Sequence, residues 1–87
     1  MDGTTRSKLK MILREAEIPF FSDEELDFYY DQNDQDLNST AYECLLVKAE
    51  NTTLSMSGMS IADTSTYFRR LASRYRPHHS GILRGGT

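Results

Sequence analysis

The stretch NSTAYECLLVKAEN, residues 38–51, sets the terms for everything around it. Ala41, Tyr42, Cys44, Leu45, Leu46, Val47 and Ala49 leave little polar surface apart from Glu43 and Lys48, so as a helix this segment is apolar on nearly every side. Such a helix has to be covered by its neighbours. In a chain of 87 residues that covering forms one modest core in one domain, and a domain of this size buries only about 60–65% of the surface its unfolded chain exposes. A partner that finishes the core fits that shortage.

The covering elements are also helical in pattern. Leu9, Ile12, Leu13 and Ala16 recur at i, i+3, i+4 and i+7, which predicts a first helix over residues 4–17. Pro19 is the expected stop, because its ring removes an amide donor and disfavours helical geometry at Ile18. Ser22 with Glu25 three residues on has the capping-box spacing, and Asp23, Glu24 and Glu25 suit the positive end of a helix dipole. A second helix should therefore run from there to about residue 32, with Phe21 and Leu26 spaced as a hydrophobic staple and Phe28, Tyr29 and Tyr30 wrapping more than one face. The following NDQD is a turn composition. Asp36 or Asn38 can cap the central helix, and Asp63 is the expected cap of a last helix in which Phe68, Leu71, Ala72 and Tyr75 form the apolar stripe. Pro77 ends that helix, whose other face carries Arg69, Arg70, Ser73, Arg74 and Arg76. The predicted fold is an all-α bundle of three to four helices with one long Ser/Met/Gly loop, residues 52–62, before the last helix. The bundle occupies residues 1–77, and the Gly-rich residues 78–87 form a flexible tail.

Charge is unevenly distributed although the net value is only −3. Residues 1–14 hold four cations against Asp2, residues 15–50 hold eleven acids against Lys48, and residues 51–87 hold five arginines against Asp63. Blocks of opposite sign can pair within one molecule or between neighbours, and the sequence leaves both open. The single cysteine, Cys44, excludes an internal disulfide and reads as a small buried thiol. The amino-terminal residues are polar and amphipathic rather than a signal peptide, and no stretch approaches a membrane span, which points to a reducing cytoplasm or something assembled there.

Catalytic, metal and cofactor signatures are poor throughout. His78 and His79 have no carboxylate or cysteine at ligand spacing. Asp34 and Asp36 sit in a stretch that lacks the glycine and the terminal glutamate of a calcium loop, and SMSGMS lacks the Gly-Lys-Ser/Thr ending of a phosphate-binding loop. No enzymatic constellation and no cofactor is expected.

The loop itself raises the functional question. A dozen residues without regular structure inside so small a domain tend to be functional or disordered. Leu54, Met56, Met59 and Ile61 alternate there with small polar residues, and Gly58 lets the backbone change direction. That pattern suits an extended segment laid on another surface, with adaptable methionines, and equally a loop folded back over its own core.

Three stretches, IPFFSDEELDFYYDQN, AYECLLVKAEN and DTSTYFRRLASRYRP, taken in this order and with these gaps, resemble the small head-to-tail connector proteins of long-tailed double-stranded DNA bacteriophages. The resemblance covers roughly residues 9–77. It implies a non-enzymatic helical bundle that assembles as a ring, typically of twelve subunits, beneath the portal protein, completes the DNA-filled head and offers a docking surface to the next neck or tail protein. Carried onto this sequence, it makes residues 54–61, with Leu54, Met56, Gly58, Met59 and Ile61, the segment facing a neighbouring subunit or the portal. It makes Arg69, Arg70, Arg74 and Arg76 candidates for ring contacts or for non-specific contact with DNA in the channel. The competing expectation is a small helical DNA-binding regulator that uses the same arginines, although a DNA-binding domain usually has a net basic balance and this chain has a pI near 5.2.

Overall fold

The computed structural model describes residues 1–51 and 58–76. Among them are four α-helices and no strand: α1 (Gly3–Ile12), α2 (Asp23–Gln32), α3 (Leu37–Glu50) and α4 (Ile61–Ala72), the last continued by a 3-10 turn over Ser73–Tyr75. The protein is the small all-α bundle that its patterning predicts. The centre is α3, against which α1, α2, α4 and the 3-10 turn all pack. Thr40, Ala41, Cys44, Leu45, Lys48 and Ala49 of α3 are buried. Leu9 and Leu13 from the first segment, Leu26 from α2, and Phe68, Leu71 and Ala72 from α4 close around them.

Each helix begins on a side-chain cap. Asp2 accepts the Thr5 amide at 2.7 Å and Asp36 accepts the Ser39 amide at 2.7 Å. Both bonds of the predicted capping box are present: Ser22 Oγ accepts the Glu25 amide at 3.1 Å, and the Ser22 amide donates to Glu25 Oε1 at 2.9 Å. Phe21 and Leu26 are both buried in the same cluster. The last helix starts earlier than expected. Its cap is Ser60, which accepts the Asp63 amide at 3.0 Å, so Asp63 lies inside the first turn near the positive end of the dipole rather than at the cap.

The first helix ends earlier than its periodicity suggests, and Pro19 is not what stops it. Arg14 adopts a left-handed backbone, φ 59°. The Arg14 amide reaches the Met11 carbonyl at 3.3 Å, and the Glu15 amide reaches the Lys10 carbonyl at 3.0 Å, which together make a Schellman closure. Ala16, expected on the apolar stripe, is exposed. The same device ends α2: Asp34 and Gln35 have φ 56° and 61°, and the Gln35 amide donates to the Tyr30 carbonyl at 2.8 Å. A left-handed residue other than glycine costs about 1–2 kcal/mol, so something has to hold each turn.

For the first turn the holding group is Lys48, whose expected place on the polar surface is overturned. It is 1% exposed. Its Nζ donates to the Leu13 carbonyl at 2.6 Å, the Ile18 carbonyl at 2.8 Å and Glu15 Oε2 at 2.7 Å, which uses all three ammonium protons. Glu15 Oε1 in turn accepts the amides of Phe20 and Phe21, each at 3.0 Å. The Phe68 ring lies under the ammonium at 5.0 Å. Burial pushes the Lys48 ammonium below the usual lysine value, and the hydrogen bond to Glu15 opposes that shift. The pair clamps the connection between α1 and α2 onto α3. A helical continuation through Glu15 would forfeit these bonds, which is why the local preference of Arg-Glu-Ala-Glu for helix does not prevail.

Lys48→Met leaves Glu15 buried without its counter-charge and should cost about 3–5 kcal/mol, and Leu45→Ala should cost about 2–5 kcal/mol. Urea denaturation of Lys48→Met, Glu15→Gln and the double variant should reveal strongly non-additive losses, with the double variant less stable than wild type by clearly less than the sum. Additive losses would mean that the two side chains do not act as one unit. Ser22→Ala should cost about 0.5–2 kcal/mol in the same assay.

Candidate assembly surface

The two basic blocks are used differently. Within the first, Arg6 donates to both carboxylate oxygens of Asp27 at 3.0 and 3.2 Å, and Lys10 meets Asp23 at 2.7 Å, so α1 and α2 are laced together. The Lys10 hydrogen bond lowers the Asp23 carboxyl below its ordinary value, and the Asp27 hydrogen bond raises the Arg6 guanidinium. The arginines of the last helix have no such counterpart. Arg69, Arg70, Arg74 and Arg76 are all exposed and make no ion pair among the described residues. Arg6 and Lys10 of the first block thus pair internally, whereas the arginines from residue 69 on face outward.

The predicted site residues divide into two faces. Met59 and Arg70 line one shallow groove of about 280 Å³ together with Asp63, Thr66 and Tyr67. Ile61 and Arg69 line another, of about 510 Å³, against Glu50 and Asn51 at the end of α3. Ser65 fixes this second side by donating its hydroxyl to the Ala49 carbonyl at 2.6 Å. Ile61 is 45% exposed and Met59 is half-buried. Gly58 has φ +79°, a left-handed conformation in which a side chain would be strained. Leu54 and Met56 lie outside the described residues, as do His78 and His79.

Two surface residues belong to this picture that the sequence did not single out. Arg14, turned outward by its left-handed backbone, donates Nε to the Tyr67 hydroxyl at 3.1 Å and joins the basic face of α4 from a position 53 residues away. Phe28, read as part of an aromatic wrap, is 62% exposed, whereas Tyr29 and Tyr30 are half-buried. Nothing in the local pattern marks Arg14, because its position depends on where α1 stops. The phase of α2 does place Phe28 two positions away from Leu26, and hence off the buried stripe.

Cys44, Asp34 and Asp36 have structural places. Burial pushes the Cys44 thiol up to about 12, so a thiolate is out of reach at neutral pH. Asp36 caps α3, and Asp34 forms the turn that closes α2. Among the described residues no group of three or more His, Cys, Asp or Glu side chains is placed to hold a metal ion, and no helix is long and apolar enough to cross a membrane. No protein-family model, curated protein or solved structure matches this chain.

Since the exposed side chains of Arg70 and Arg74 make no ion pair among the described residues, reversing both to glutamate should leave thermal stability within about 1 kcal/mol of wild type, the residual loss coming from the helix dipole. A thermal or urea melt checks this. A loss several times larger would show that these arginines hold the subunit together and do not serve a surface.

Proposed function

We propose that this chain is a head-to-tail connector subunit of a long-tailed double-stranded DNA bacteriophage. It is non-enzymatic, assembles as a ring beneath the portal protein, completes the DNA-filled head and presents the docking surface for the next neck or tail protein. Its place is the head–tail junction of the virion, after assembly in the host cytoplasm. The observation that carries this reading is the outward arginine face of α4, which has no acidic partner among the described residues, set beside Met59 and Ile61 at the end of the Ser/Met/Gly stretch. A surface of exposed cations without ion pairs, next to adaptable apolar side chains, suits a contact that another molecule completes. The resemblance of residues 9–77 to connector proteins supplies the identity of that molecule: a neighbouring subunit, the portal, or DNA passing through the channel.

The same arginines support a second reading, a small helical regulator that binds duplex DNA through α4. The net charge of −3 weighs against it, because a free acidic domain gains little from the counterion release that drives such binding.

Complementation of a connector-deficient phage separates the two. Wild-type protein should attach to DNA-filled, portal-bearing heads and restore tail joining, while the Arg70→Glu/Arg74→Glu variant, folded normally, should leave full but tailless or leaking heads. Failure of the wild-type protein to bind such heads, together with sequence-specific duplex binding lost in the same variant, would make the regulator reading the correct one.

A further inference from the structure

The α2 helix carries a stripe that is exposed among the described residues. Glu24, Phe28 and Asp31 follow one another at i, i+4 and i+7 and so share one face, and all three are exposed. Asp23 and Asp27, the acids that pair with Lys10 and Arg6, lie beside this stripe and not on it. Phe28 meets the Tyr29 ring edge-on at 5.4 Å and otherwise turns 62% of its surface to solvent. The stripe has an aromatic centre between two carboxylates.

The basic face of α4 and its 3-10 continuation is its complement in charge. Tyr67 begins it, Arg70 follows at i+3 in α4 and Arg74 at i+7 in the 3-10 turn, and Arg14 donates to the Tyr67 hydroxyl. Met59 adds an apolar edge. Each stripe spans seven residue-to-residue steps, about 10 Å of rise along α2 and slightly more along α4 and its 3-10 turn, so the two are similar in length. We infer that the Glu24–Phe28–Asp31 stripe of one copy docks on the Arg14–Tyr67–Arg70–Arg74 face of a second copy. In that contact the guanidinium groups receive the two carboxylates, and Phe28 stacks against Tyr67 and an arginine plane. Asp63, in the same groove, repels carboxylates from the start of α4 and sets the register.

The occupant follows from using both surfaces at once. Nucleic acid would suit the arginines but would leave the acid–Phe–acid stripe without a role and would be repelled by it. A second copy uses both. The stripe and its complement belong to different helices, each packed on α3, so the contact is heterologous: a copy bound through one face keeps the other free, and association propagates to a ring or an open chain. This inference rests on the assembly reading above and specifies which faces meet.

Sedimentation of the wild-type protein, followed to millimolar concentration, should show association beyond a dimer that weakens as salt rises. Phe28→Ser/Asp31→Ser and Arg70→Glu/Arg74→Glu should each raise the dissociation constant at least tenfold while keeping the circular dichroism spectrum and melting temperature of a folded bundle. Mixed in equal amounts, the two variants should form a heterodimer and nothing larger, because one retains an intact stripe and the other an intact basic face. A wild type that stays monomeric, association untouched by either pair of changes, or a mixture without heterodimer would each overturn the contact. A wild type that stays monomeric yet restores tail joining in the phage assay overturns this contact and leaves the connector reading standing. Association through these two faces without binding to portal-bearing heads does the reverse. Recovery of wild-type activity in the phage assay by the stripe variant would also count against the contact, and would point to a different acidic protein on the arginine face.

Discussion

The bond network around Lys48 is the constraint on which the rest of the fold depends. One ammonium holds two carbonyls of the α1–α2 connection and one carboxylate, and that carboxylate holds two more amides of the same connection. Taking two charges out of water costs several kcal/mol per ion, and their attraction offsets this only when every remaining donor and acceptor is satisfied. Here the ammonium and both carboxylate oxygens are satisfied. Net stabilisation over an apolar pair of the same volume is accordingly small, and the larger consequence is geometric. The network fixes one path for residues 13–21, so Phe21 enters the core and Ser22 stands where it can cap α2.

How much of this is readable from sequence follows from how local each signal is. The central helix, the capping box at Ser22 and the inward residues Phe68, Leu71 and Ala72 depend on residues within a turn or two of one another and are found as expected, whereas Tyr75, expected on the same helical stripe, is half-buried in the 3-10 turn after α4. The end of α1 and the burial of Lys48 depend on each other across more than 30 residues. A lysine in an otherwise apolar helix reads as its solvent face unless the acid that meets it is known, and Glu15 reads as helix surface unless the lysine is known. The misplaced cap of α4 has a different cause. Ser60 and Asp63 are both good caps, and the choice between them turns on Ile61 and Ala62 extending the helix by most of a turn, which the apolar stripe alone does not decide.

The candidate surface divides in the same way. Its arginines are legible as an unpaired face because the periodicity of α4 assigns Phe68, Leu71 and Ala72 inward and Arg69, Arg70 and Arg74 outward. What the sequence leaves open is whether the acidic middle neutralises them. That depends on which helix lies beside α1: α2 does, so Arg6 and Lys10 take Asp27 and Asp23, and the acids nearest the amino-terminal cations are no longer available to the carboxyl-terminal ones. The separation of the α2 stripe from the α4 face is thus a result of topology, and composition alone could not have supplied it.

Arg14 joins the buried network to the surface. Its left-handed backbone is tolerated because Leu13, Glu15 and Ile18 on either side are anchored to Lys48, and that same backbone directs its side chain to Tyr67. The basic face of α4 is therefore completed by a residue whose position is set in the core, on the opposite side of the chain from any arginine of that helix in sequence. The described residues share one core, so the same packing that orders the interior also shapes this face. The turn that the ion pair stabilises serves the interior and the surface together, and the sequence around Arg14 gives up a longer first helix to make it.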